Sequence, residues 1–164
     1  MLSSVISPLT SLPHPPLPSL SSTQVLLALN CVHMLVQNFG DNFNPLINMT
    51  FDTLLTKFID TKVSIRAKAM NVMVSVITLM GLSTGLDRLM ANHAHRNVRI
   101  RENMLATLDK VLESTEIDVY DMKTTNTVIT KVAVLLNDKD TGVRQQSMDI
   151  LAKLSNIFGE SLMV

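Results

Sequence analysis

The chain has 164 residues, 46% apolar and only 4% aromatic, with no Trp and a formal net charge of zero. That length can bury one domain's core. The few aromatics and eleven Met favour helices packed through flexible aliphatic side chains over an all-β design. All fourteen Lys and Arg lie from Lys57 onward, against twelve acids there, so the electrostatic footprint of a nucleic-acid binder is missing and no such partner is expected.

Residues 1–20 hold five of the six prolines among Ser, Thr and Leu, which predicts an extended or disordered segment followed by a helical domain over 21–164. A Pro-rich ligand for an aromatic groove is the functional alternative for 12–18. No basic residue stands near the N-terminus, which counts against a signal peptide or a mitochondrial presequence. Ser21, Ser22 and Thr23 offer caps for a helix from Val25 to Phe39, which Gly40 ends, with Leu26, Leu29, Val32 or His33, and Val36 on one face. Asn30, His33, Gln37 and Asn38 interrupt it, so no stretch of membrane-spanning length is read. Cys31 is alone within it. A buried, inert thiol in a reducing, cytoplasmic setting is expected.

After the turn before Pro45, a helix from about Leu46 to Ile59 should turn Leu46, Met49, Thr53, Leu54 and Phe58 to one side. The next carries Ile65, Ala69, Val72, Met73, Val76 and Met80 and ends at Gly81. A short helix follows from Ser83, with Leu86, Leu89 and Met90. Another bears Ile100, Met104, Leu108, Val111 and Leu112. The acidic stretch from Ser114 to Lys123 is the longest expected connection. Two more helices follow, one over about Thr125 to Asn137 and a last one bearing Val143, Ser147, Ile150, Leu151 and Leu154, closed by Gly159.

A polar turn, a β-branched residue, an Arg and a long amphipathic run recur three times, at Ile65-Arg66, Ile100-Arg101 and Val143-Arg144. The spacings of 35 and 43 residues match solenoids of helix pairs. The predicted fold is therefore an all-α, right-handed α-solenoid of antiparallel helix pairs. It has seven helices: one second-of-pair helix, then three complete pairs. A first-of-pair partner for the first helix would fall in 1–20, where proline opposes it.

Asn42-Phe43, Leu54-Leu55 with Asp60 and Ile65-Arg66, His95-Arg96-Asn97-Val98-Arg99-Ile100-Arg101-Glu102, Leu135-Leu136-Asn137-Asp138 with Val143-Arg144, Met148-Asp149-Ile150-Leu151 and Phe158-Gly159-Glu160 together resemble the HEAT-like TOG domains of the CLASP family (cytoplasmic-linker-associated proteins). The likeness runs from about Ser19 to Glu160 and is strongest to the first TOG domain of those proteins. It implies regulation of microtubule dynamics in the cytoplasm, on the cytoskeleton and spindle. It also implies tubulin contact through the intra-pair turns, here Thr61 and Lys62, Arg96 and Asn97, and Lys139. Relatives that bind free tubulin usually carry a Trp in the first pair's turn, and this chain has none.

Lys62, Arg96, Arg99 and Lys139 would form a basic row suited to an acidic partner, or else serve as ordinary solvated cations. Arg66, Arg101 and Arg144 stand where the helix dipole disfavours a cation. They are read as a structural ladder bonding a carboxylate or the loop carbonyls of a neighbouring pair. On that reading, Arg144→Ala should cost about 3–5 kcal/mol, as for half of a buried pair. His93 and His95 do not suit joint metal binding, and Asp138 and Asp140 lack the Gly and Glu of a calcium loop. No catalytic constellation, cofactor motif or metal site is read, so an enzyme is not expected. The other function class is a protein–protein scaffold without tubulin contact. It would use helix faces or the open N-terminal end, where Val25, Leu26, Leu29 and Val32 would be partly bared and invite self-association or a partner helix.

Overall fold

The computed structural model describes residues 20–114 and 121–158. Among these, seven α-helices follow one another and no strand occurs: α1 (Ser22–Phe39), α2 (Asn44–Lys57), α3 (Val63–Met80), α4 (Leu82–Met90), α5 (Val98–Ser114), α6 (Met122–Leu135) and α7 (Thr141–Phe158). The expected Pro-rich segment before residue 20, the middle of the acidic connection and Gly159 lie outside the described residues.

Local chemistry sets the helix ends. The Ser21 hydroxyl accepts from the Gln24 N–H, and the Gln24 side chain accepts from the Ser21 N–H, a complete capping box. Gly40 stops α1 at φ +48°, and a 3-10 turn (Gly40–Phe43) leads to Pro45 in the first turn of α2. Gly81 ends α3 at φ +83°. Asp121 caps α6 by accepting from the Thr124 N–H, a bond that lowers its carboxyl pKa.

The helices form two layers. In one, α1, α3, α5 and α7 lie side by side in chain order. In the other are α2, α4 and α6, with α2 packed on α3 and α6 on α7. The short α4 departs from strict pairing, since it rests mainly on α3 and α6 and touches α5 lightly. Its approach to α3 depends on Gly85: a Cβ there would come within 2.9 Å of the Ile77 Cα and carbonyl oxygen. Met73, Val76, Ile77, Leu86, Leu89, Met104, Leu105 and Leu108 lie at the centre of the shared core, fully buried.

Three expectations change. On α2 the buried stripe is Ile47, Thr50, Phe51, Leu54 and, just past its end, Phe58, while Leu46, Met49 and Thr53 face solvent. Both stripes carry apolar residues, and burial of α2 against α3 selects the one with two Phe. On α1, Leu29 and Val36 are buried as expected, but Cys31 is exposed, on the side away from α3. Among the described residues α3, not α1, is the helix whose length and mean hydropathy of 1.4 would suffice to cross a membrane. Its apolar stripe is buried against α1, α2, α4 and α5, as in the core helix of a folded domain.

Candidate functional site: the edge of intra-pair turns

The three intra-pair turns, over 58–62, 91–97 and 136–140, share one hydrogen-bond pattern. In each, the arginine one turn into the following helix reaches back six residues. The Arg66 guanidinium donates to the Asp60 carbonyl at 2.8 Å, Arg101 to that of His95 at 2.6 Å, and Arg144 to that of Asp138 at 2.8 Å. Arg66 and Arg144 also donate to the next carbonyls, of Thr61 and Lys139. These cations sit near helix N-termini, where the dipole opposes them, and the carbonyl dipoles of the turn compensate.

The residue whose carbonyl is held also folds its own side chain back. The Asp60 carboxylate accepts from the Lys62 N–H and Asp138 from the Asp140 N–H, both at 2.9 Å. In the middle turn His95 takes the aspartate's place, its Nδ1 accepting from the Asn97 N–H at 3.0 Å. A ring nitrogen can accept only through a free lone pair, so this bond uses Nδ1 as the acceptor. Two of the following helices are capped next to these turns, α5 by the Asn97 side chain on Arg99 N–H and α7 by Asp140 on Val143 N–H, whereas α3 has no side-chain cap.

Neighbouring turns are tied together. Arg101 also grips the Asp138 carboxylate with two parallel bonds, Nε at 2.6 Å and Nη2 at 2.7 Å. The two side chains are 12% and 8% exposed, the most buried ion pair among the described residues. The guanidinium holds the Asp138 carboxyl below its ordinary range, against the opposing effect of burial. Asn103 of α5 donates to the Phe58 carbonyl at the end of α2, tying the second pair to the first turn.

The ladder is thus uneven. Arg66 and Arg144 bond backbone of their own turns and no carboxylate, whereas Arg101 reaches across to the next pair. Asp138, read from sequence as a helix-terminal acid, is the partner the sequence pattern did not expose. It lies 37 residues from Arg101, and no local spacing links the two.

Thr61, Lys62, Arg96, Arg99 and Lys139 are exposed, and Asn97 is half-buried. Among the described residues none of these four cations is in an ion pair. Counted from the arginine of each turn, Thr61, Arg96 and Lys139 hold one position, Lys62 and Asn97 the next, and Arg99 a third. The structure brings Arg96 and Lys139 to one cleft of about 470 Å³, also lined by His93, His95, Arg101 and Asp138. Thr61 and Lys62 are not part of that cleft. Among the described residues no cluster of metal-ligating side chains occurs.

A stack of helix pairs with a cation-bearing edge of intra-pair turns is a HEAT-type solenoid. The CLASP N-terminal family model matches residues 15–161, and the chain belongs to that family. Among solved structures the chain is similar to the MAST/Orbit N-terminal domain, with a TM-score of 0.73 at 20% identity, over 82% of this chain and 60% of that one. The chain therefore spans less than two thirds of that neighbour's length. Comparison with curated protein sequences finds no match.

Proposed function

We propose that this chain acts as a non-enzymatic, microtubule-associated regulator. It binds tubulin or the microtubule lattice through Thr61, Lys62, Arg96, Asn97, Arg99 and Lys139, in the cytoplasm and on the spindle. The carrying observation is the edge itself: arginines and back-folded side chains hold the turn backbones, which leaves Lys62, Arg96, Arg99 and Lys139 exposed and unpaired within the described residues. An acidic protein surface would be attracted over about a Debye length, and the attraction should fade with salt. Family membership supports the same partner class.

Co-sedimentation with taxol-stabilised microtubules tests this reading. Binding is expected at low ionic strength, with several-fold loss at about 0.3 M salt and a comparable loss in a Lys62→Glu, Arg96→Glu, Lys139→Glu triple variant. No pelleting with microtubules even at low salt would overturn it.

A scaffold or adaptor role without tubulin contact is favoured by a different observation. α1 exposes Leu27 and Met34 on the side opposite buried Leu29 and Val36, with Leu35 and Phe39 exposed beside them.

A further inference from the structure

The cleft between the second and third intra-pair turns is held open by bonds that need no partner. Arg101 donates to the His95 carbonyl of one turn and grips the Asp138 carboxylate of the next. Arg144 holds the Asp138 and Lys139 carbonyls from the other side. Arg66, by contrast, bonds only backbone of its own turn. With the His95 and Asp138 side chains also folded back onto their turns, the second and third turns are preorganised, which lowers the ordering cost of binding.

The charge on this frame is unbalanced. Asp138 is the one carboxylate among the residues lining the cleft, and Arg101 engages both of its oxygens. Arg96 and Lys139, on opposite sides, are exposed and in no ion pair among the described residues. A planar guanidinium can take a carboxylate through two parallel bonds, and an ammonium beside it adds a point charge. The rest of the lining is different in kind. Val134 of α6 keeps 57% of its surface in solvent, and Ala94 of the second turn is exposed as well. Cations and uncovered apolar carbon therefore line one cleft of about 470 Å³, within the size range of ligand pockets.

Given the proposed binding through the turn edge, we infer that this cleft receives an acidic peptide segment of the protein partner. One carboxylate lies between Arg96 and Lys139, and a neighbouring apolar side chain of the segment lies against Val134. The edge then reads more than net charge, and Val134 joins it as a specificity-determining contact that carries none.

Three short peptides test this by nuclear magnetic resonance titration of the isotope-labelled 164-residue chain. One consists of Glu and Gly around a central Leu. The second has Gly in place of the Leu, and the third has Gln in place of every Glu. The Glu/Leu peptide is expected to shift amides over 93–97 and 134–139, with a Kd on the order of 0.1–1 mM. The peptide without Leu should bind several-fold more weakly, and the Gln peptide should not saturate. Arg96→Gln with Lys139→Gln should weaken the Glu/Leu peptide roughly tenfold. Val134→Ser, at an exposed position where the two residues have similar helix propensity, should bring the Glu/Leu peptide down to the affinity of the one without Leu. It should leave the latter unchanged. Unshifted amides away from the cleft show that both variants fold.

Equal affinity with and without Leu in the wild type would overturn the proposal, because charge alone would then be read. So would shifts at Lys62 or Arg99 as large as those in the cleft, or binding that survives the double Gln substitution. If no peptide binds while the chain still pellets with microtubules, the cleft proposal fails and the microtubule reading stands. Peptide binding without pelleting would uphold the cleft's preference and remove the microtubule as its source.

Discussion

At the scale of single residues, the three turn arginines look alike in sequence and differ in what their loss would do. Arg101→Ala leaves the Asp138 carboxylate, 8% exposed, without its bidentate partner, and breaking one half of such a pair costs about 3–5 kcal/mol. Arg144 donates to two carbonyls of its own turn and to the Thr141 hydroxyl, partly in solvent. Its replacement by Ala should cost about 1–2 kcal/mol, the worth of one or two ordinary hydrogen bonds. Urea denaturation of both variants is expected to show that order, with Arg66→Ala close to Arg144→Ala; equal losses at 101 and 144 would contradict it. The acid limb should follow the same pair. The Asp138 pKa is lowered in the fold, so its stabilisation is complete above the ordinary value of 3.8 and lost as pH falls through the lowered one. Arg101→Ala should flatten that loss. The repeated β-branched–Arg motif made the positions of these arginines legible, because each sits at one offset from its turn. It could not show which of them meets a carboxylate, since that depends on how two pairs stack.

At the scale of elements, two contacts of α3 set the most specific expectations. Against α4, a Cβ on Gly85 would meet backbone atoms of Ile77, which cannot rotate away, so Gly85→Ala must push the helices apart. A loss of about 1–3 kcal/mol is expected, the usual cost of overpacking, against the small gain that Ala brings to an unobstructed helix position. Thermal unfolding decides between the two signs. Against α1, His33 sits with Nδ1 accepting from the Lys68 ammonium at 3.1 Å and Nε2 donating to the Ser75 hydroxyl at 3.0 Å. Burial, then the Lys68 charge, lowers its pKa from 6.5. Neutral His33 therefore supports α1 docking at pH 7, and that support declines as pH falls below the ordinary value towards the lowered one. The midpoint of unfolding should drop between pH 7 and 5 more steeply in the wild type than in His33→Phe. The pairing of α1 with α3 through this histidine was not readable beforehand, because His33 and Val32 were equal candidates for the inward face. Cys31 was misplaced for a related reason. α1 carries Leu, Met or Cys on both of its sides, so periodicity alone could not choose which side α3 covers. On α2 two overlapping apolar stripes produced the same ambiguity.

At the scale of the whole molecule, the order of the seven helices and the pairing of α2 with α3 and of α6 with α7 were legible, whereas α4 packs more on α3 and α6 than on its expected partner α5. The cause is physical: polar turns at a regular spacing must separate apolar runs if each pair is to bury its face on the next. The cation row was legible as residues but not as a surface. Sequence set Lys62, Arg96 and Lys139 side by side as equivalents, whereas in space Arg96 and Lys139 share a cleft and Lys62 holds a different position of its turn. If the edge meets a microtubule as proposed, Arg96→Glu with Lys139→Glu should weaken co-sedimentation more than Lys62→Glu with Arg99→Glu, which makes the same change in net charge, because the first two charges converge on one site. Equal effects would mean that net charge, rather than the cleft, governs binding.

The histidine in the middle turn has a wider consequence. His95 differs in shape and chemistry from Asp60 and Asp138, yet each turn closes in the same way, because the grip is on the peptide carbonyl and a side chain with an acceptor at the right reach can fold back. Form and wording are thereby separable along this edge. The backbone is a fixed frame, and the outward letters beside it can be rewritten without redrawing the frame. Transplanting Arg96-Asn97 into the third turn, or Lys139 into the first, should give a set of equally folded proteins with different faces, and on the proposed function each turn's share of the binding could be read from them one at a time.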